Sequence, residues 1–201
     1  MDAIEIETPH GPARAHLEEP DGAKGLLVLG HGAGGGVGAP DLVRAELEAQ
    51  KLGFATALVE QPYVVAGRKA PPTAAKADEA WTTVLGFLSE RLGDPVPLIT
   101  GGRSFGARVA CRTAAETGAT AVLCLAFPEH PPGKPEKTRQ DELDAVDVPV
   151  LVVQGKSDPF GMPNGGPGKE IVAVAGNHGL KADLDAVGAA VSEWLGTILA
   201  G

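Results

Sequence analysis

Leu98-Ile99-Thr100-Gly101-Gly102-Arg103-Ser104-Phe105-Gly106-Ala107-Arg108-Val109-Ala110 is the stretch that decides how this chain is read. An apolar run stops at glycines, a single serine follows, and a helical pattern begins. Gly102 to Gly106 reads G-x-S-x-G, a pattern suited to a sharp strand-to-helix turn with its serine hydroxyl exposed at the top of a sheet. The glycines answer to a strained turn and to neighbouring backbone passing close by. An ordinary glycine-rich connection satisfies the same five residues, so the rest of the chain must decide.

Outward from that turn, short apolar runs alternate with helical periodicity. Ala3 to Glu7 and Ala13 to Leu17 alternate about Pro9-His10-Gly11-Pro12, as an antiparallel edge hairpin would. Gly25 to Leu29, Phe54 to Val59, Pro97 to Thr100, Ala121 to Ala126, Val150 to Gln154 and Glu170 to Val174 read as strands, most of them apolar on both faces. Helices are expected over Pro40–Leu52, Ala74–Arg91, from Ser104 to about Thr117, and Lys181–Leu199. Trp81 reads as core. Gln61–Pro72 and the tract from Phe127 to Lys137 read as Pro-containing loops. The pattern implies an α/β fold: a doubly wound, mostly parallel sheet with an N-terminal antiparallel hairpin, in one domain over residues 1–201.

Composition narrows the function. The net charge of −9 argues against a nucleic-acid backbone as partner. No apolar stretch is long enough to span a bilayer, and no apolar leader opens the chain, so a cytoplasmic location is expected. Cys111 and Cys124, both within apolar stretches, are expected as buried thiols. No Cys/His cluster has zinc-site spacing, so no metal is expected.

In such sheets ligands bind beyond the carboxyl ends of the strands. The loops that follow strands offer Ser104, Asp158 in Gly155-Lys156-Ser157-Asp158-Pro159-Phe160, His178 in Ala175-Gly176-Asn177-His178-Gly179, and the loop Gly30-His31-Gly32-Ala33-Gly34-Gly35-Gly36. Serine needs a base to become a nucleophile. Histidine titrates near neutrality, and a carboxylate on its other nitrogen fixes the tautomer. The chain order Ser, Asp, His matches that chemistry. Phe105 N–H, at a helix N-terminus, and Ala33 N–H are the expected oxyanion donors. His31, Gly34, Arg103 and Phe160 are the expected substrate contacts. Arg103, Arg68, Lys69 and Lys134 would favour an anionic substrate; as solvated loop charge they would do nothing.

Other readings stand beside this one. Asp158 is able merely to tie down its loop, and His178 to cap the last helix. Asp147 precedes its strand, His130 precedes Asp158 in the chain, and His10 and His16 fall in the edge hairpin. His31 suits a structural part of the glycine loop better than a base. Gly30 to Gly35 also satisfies G-x-G-x-x-G, with Glu60 where a ribose-binding carboxylate would sit. Against a dinucleotide site, the glycines run on to Gly38, so the helix starts late, and a hairpin precedes the first buried strand.

The chain resembles the α/β-hydrolase superfamily over nearly its whole length. Within it, it is similar to a compact branch close to dienelactone hydrolases and related to a testis-expressed hydrolase-like protein and an animal chromatin-complex subunit. The residues carrying the resemblance are His31-Gly32-Ala33-Gly34-Gly35, Gly102 to Gly106, His130-Pro131-Pro132-Gly133-Lys134-Pro135-Glu136 and Gly155 to Phe160. It implies Ser104 as nucleophile, Asp158 as acid and His178 as base. Dienelactone hydrolases use a cysteine where this chain has Ser104, so their substrate is not carried over. The stretch Gly161–Gly168 is unsuited to the helix often found there, and no insertion is long enough for a lid. An open site walled by the Gln61–Pro72 and Phe127–Gln140 loops is expected. The expectation is a cofactor-free serine hydrolase acting on a small acyl substrate. A silent scaffold of the same fold is the alternative, and the oligomeric state is not legible.

Overall fold

The computed structural model describes residues 2–93 and 95–200. Eight strands form one sheet: β1 (Asp2–Ile6), β2 (Ala13–Glu18), β3 (Leu26–Gly30), β4 (Ala55–Glu60), β5 (Leu98–Arg103), β6 (Ala121–Leu125), β7 (Val150–Gly155) and β8 (Lys169–Val174). Their order across the sheet is β1-β2-β4-β3-β5-β6-β7-β8. The edge hairpin pairs antiparallel, with Ile4 opposite Ala15, and β2 joins β4 antiparallel. Every other pairing is parallel.

Strand alternation divides the core. Leu27 and Leu29 of β3 face one layer with Leu42, Ala45 and Ala49 of α1 (Pro40–Lys51) and Val187, Val191 and Leu195 of α6 (Leu184–Ala200). Leu26 and Val28 face the other, against Trp81, Val84, Leu85 and Leu88 of α3 (Ala74–Leu92). Beside them, Ala107, Ala110 and Cys111 of α4 (Phe105–Thr113) pack on Val122, Cys124 and Val152. With so few aromatic residues, this core is built mainly from small and branched aliphatic side chains. Trp81 is core, as its helical spacing implies, and its indole N–H donates to Thr100 Oγ1 at 3.0 Å. Cys111 and Cys124 are free, buried thiols.

Several boundaries differ from expectation. The α4 helix stops at Thr113, not Thr117; turns follow to Gly118, whose φ is +66°. The last helix begins at Leu184, not Lys181, because Asp183 Oδ1 accepts from Ala186 N–H at 3.0 Å and so starts it. The Gln61–Pro72 loop contains one helical turn, α2 (Pro62–Val65), with Pro62 at its first position. A short α5 (Gln140–Asp144) follows the proline-rich tract. The stretch after Asp158 forms no helix. Among the described residues, no helix is long and apolar enough to cross a membrane.

Candidate active site

The parallel strands all end on one side, and there the sheet delivers its polar loops. At the end of β5, Ser104 adopts φ 52°, ψ −106°, a conformation costly for any residue but glycine. The turn holds because its surroundings leave no alternative. A Cβ on Gly102 or on Gly106 would lie 2.4 Å from the carbonyl oxygen of Gly30. These two glycines let the turn press against β3 while Ser104 N–H donates to Leu125 O at 2.9 Å on the far side. The serine therefore stands at the helix N-terminus with its hydroxyl free to point outward.

The β7 and β8 loops meet that hydroxyl. His178 Nε2 lies 2.9 Å from Ser104 Oγ, and His178 Nδ1 lies 2.8 Å from Asp158 Oδ2. Asp158 is almost wholly buried. Phe160 N–H donates to its Oδ1 at 2.8 Å, and the Gln154 side-chain amide lies 3.0 Å from its Oδ2. With N–H donors converging on it, the carboxyl group serves as acceptor, so Nδ1 carries the ring proton and Nε2 is left to accept from Ser104. Phe160 stacks on the His178 ring, with centroids 4.0 Å apart and planes at 27°. The acid is thus built into its loop from three sides. Gln154, in an otherwise apolar strand, also reaches the carbonyls of Phe127 at 3.0 Å and Gly161 at 2.8 Å. A polar residue fully buried in such a strand is the signal that sequence reasoning passed over.

Arg103 does something other than expected. Its Nη2 donates to the backbone carbonyl of His178 at 2.6 Å, and its Nε pairs with Asp41 Oδ2 at 2.9 Å. Asp41 is fully buried in the first turn of α1. Burial pushes its carboxyl group above the ordinary carboxylate range, and the Arg103 charge pulls it back down. The guanidinium is therefore engaged in holding the histidine loop to α1, which corrects its assignment as a substrate contact. Asp41 gave no signal of this in sequence, since an acid in a first helical turn is ordinary.

His31 is corrected in the same way. It is fully buried, its Nδ1 lies 2.9 Å from Gly32 O, and its Nε2 accepts from Gln61 N–H at 3.1 Å. Both nitrogens are occupied by backbone, and burial lowers the ring's affinity for a proton. It shapes the glycine loop and offers nothing to a substrate. That loop does reach the serine: a Cβ on Gly32 would lie 3.6 Å from Ser104 Cβ. The next carbonyl, of Ala33, accepts from the Tyr63 hydroxyl at 3.0 Å. Burial pushes Tyr63 up to about 12, so it keeps its proton and its donor role. Gly34 is exposed, with open space around it. Phe105, first residue of α4, has an N–H with no intrahelical acceptor.

The rival nucleotide reading fails on geometry. The glycine loop runs nine residues before α1 begins at Pro40, too far for a glycine to seat the helix on the strand. Glu60 is turned to the hairpin, 3.4 Å from Arg14 Nη1 and 3.3 Å from His16 Nε2.

Residues 23–173 match the family model for an alpha/beta hydrolase domain. The chain belongs to the alpha/beta hydrolase family. The matched segment contains Ser104 and Asp158 and ends before His178, so the histidine stands on the geometry above. Among solved structures, this alpha/beta hydrolase is similar to XC6422 from Xanthomonas campestris, an a/b serine hydrolase without lid, at 19% identity and TM-score 0.81, covering 100% of this chain and 95% of that one. Est1E from Butyrivibrio proteoclasticus gives 18% and 0.80, with 100% of both chains covered. Dienelactone hydrolase from Anabaena variabilis gives 19% and 0.75, covering 98% of this chain and 96% of that one. At these identities the likeness is one of fold: a lidless hydrolase sheet. A comparison with curated proteins gives no significant match.

Proposed function

We propose that this alpha/beta hydrolase is a serine hydrolase cleaving a carboxylic ester or similar acyl bond through an acyl-serine intermediate. The observation that carries the reading is the continuous path Ser104–His178–Asp158, with both contacts under 3 Å. His178 Nε2 takes the Ser104 proton as Oγ attacks the carbonyl carbon. The carbonyl oxygen becomes negative and is held by the N–H groups of Phe105 and Ala33. The C–O bond to the alcohol then breaks, and the alcohol leaves with the proton held by His178. Water, deprotonated by the same nitrogen, attacks the acyl-serine; its collapse returns the proton to Ser104 and frees the acid. Asp158 keeps Nδ1 protonated and steadies the imidazolium through both halves. Each proton has a place on the chain's own residues, and no cofactor enters a step. We place the enzyme in the cytoplasm, working on a small diffusible substrate.

Hydrolysis of p-nitrophenyl acetate and butyrate tests this. The native protein should release p-nitrophenol with saturation kinetics, and Ser104→Ala should fall to the background rate. A folded native protein no faster than Ser104→Ala on any short-chain ester would favour a silent scaffold.

A further inference from the structure

A recess lies beside the site, next to the loop that follows β4. A cavity of about 520 Å³ lies between the α2 turn and the start of α3, walled by Gln61, Tyr63, Arg68, Thr73 and Lys76, with His10 at its margin. Its charge is one-sided. No acidic residue lines it, in a chain whose net charge is −9. The nearby acids are paired: Glu79 with the lining His10 at 2.5 Å, and Asp78 in a fork with Arg112. Arg68 and Lys76 have no ion-pair partner among the described residues. The α3 N-terminus opens at Thr73 without a side-chain cap, so its first N–H groups are left over. Gln61 adds an independent sign. It is 2% exposed, and neither polar atom of its side chain finds a partner among the described residues. A buried amide with both ends unsatisfied is costly unless a ligand or water completes it.

The cavity also has a defined relation to Ser104. Tyr63 is a shared wall: its ring stands edge-on to Phe105, with centroids 6.3 Å apart, and its hydroxyl holds the Ala33 carbonyl. Across the sheet, Ser104 follows β5, His178 follows β8 on one side, and Tyr63 follows β4 on the other. His178 protonates the leaving alcohol, so the alcohol lies toward β8. An acyl arm opposite that alcohol would extend toward β4, the side on which Tyr63 walls the recess.

We propose that this recess receives a carboxylate at the far end of the substrate's acyl arm, so that the preferred substrates are esters of short dicarboxylic acids. The inference rests on the hydrolase reading and adds the substrate class to it. Arg68 and Lys76 supply the charge and the α3 N-terminus supplies backbone donors.

The test compares mono-p-nitrophenyl glutarate, which is anionic, with p-nitrophenyl valerate, its neutral counterpart. The native enzyme should favour the glutarate by roughly tenfold in kcat/KM, the size of one half-exposed charge-assisted hydrogen bond. Arg68→Ala/Lys76→Ala, changed only at exposed side chains, should lose that preference through KM and keep its rate on valerate. Equal rates on both esters, or a preference that survives the double substitution, would overturn the proposal. Glutarate alone, titrated into labelled protein and followed by NMR, reads the recess without turnover. Saturable shifts at Gln61, Arg68 and Lys76 support it even if neither ester is cleaved, in which case the hydrolase reading falls instead. Absence of saturable shifts would overturn it whatever the esters do.

Discussion

Replacing Arg103 by Met should strand the Asp41 carboxylate inside the protein. That carboxyl group has no solvent exposure, and the Arg103 charge at 2.9 Å is its ion-pair partner. Removing one member of a buried pair costs about 3–5 kcal/mol, because the other is left as an uncompensated charge. The penalty should depend on pH in a defined direction. Asp41 is already held above the ordinary carboxylate value by burial, partly offset by Arg103. A folded pKa above the unfolded one means that its stabilising contribution is full below about pH 4 and is lost as pH rises through the folded value. Without Arg103 the folded value climbs further, so the loss extends toward neutral pH. Relative to native protein, Arg103→Met should therefore be mildly destabilised near pH 4.5 and fully destabilised by pH 7.5. Asp41→Asn on that background should restore most of the stability and flatten the pH dependence. Urea unfolding followed by fluorescence of the buried Trp81 and Trp194 measures all four proteins of the cycle. A penalty independent of pH, or no recovery from Asp41→Asn, would refute the stranded-charge argument. The single variant should also lose activity, since the His178 carbonyl loses its clamp.

Three further outcomes follow from the same contacts. Asp158→Asn should fold normally by near-ultraviolet circular dichroism yet lose about 10³–10⁴-fold in kcat, because an amide does not enforce the Nδ1–H tautomer. Gly106→Ala would bring a Cβ to 2.4 Å from the Gly30 carbonyl. It should cost about 1–3 kcal/mol in chemical unfolding, as overpacking does, and reduce ester turnover. Trp81→Phe removes the indole donor to Thr100 and should cost about 1–3 kcal/mol in the same unfolding assay.

The sheet was legible because its signals are local. Apolar strand runs, helical spacing and the glycines around Ser104 each report on a few adjacent residues. The loops carrying Asp158 and His178 were found by a topological rule, since both follow strands of a parallel sheet. What the sequence hid were partnerships across the fold. Arg103 looked like a free cation beside the serine, and only the packing of α1 on the sheet brings Asp41 to it. His31 looked available until the backbone of Gln61 closed on its second nitrogen. The α4 and α6 boundaries moved because turns and a single capping carboxylate, not hydrophobic spacing, decide where a helix stops or starts.

In the proposed mechanism Ser104 becomes a nucleophile through His178. Incubation with a fluorophosphonate, followed by intact-mass measurement and peptide mapping, tests it most directly. One adduct per chain is expected on Ser104, slowed by orders of magnitude in His178→Ala and absent in Ser104→Ala. A well-folded native protein that takes no adduct, or takes it at the same rate without His178, would contradict it.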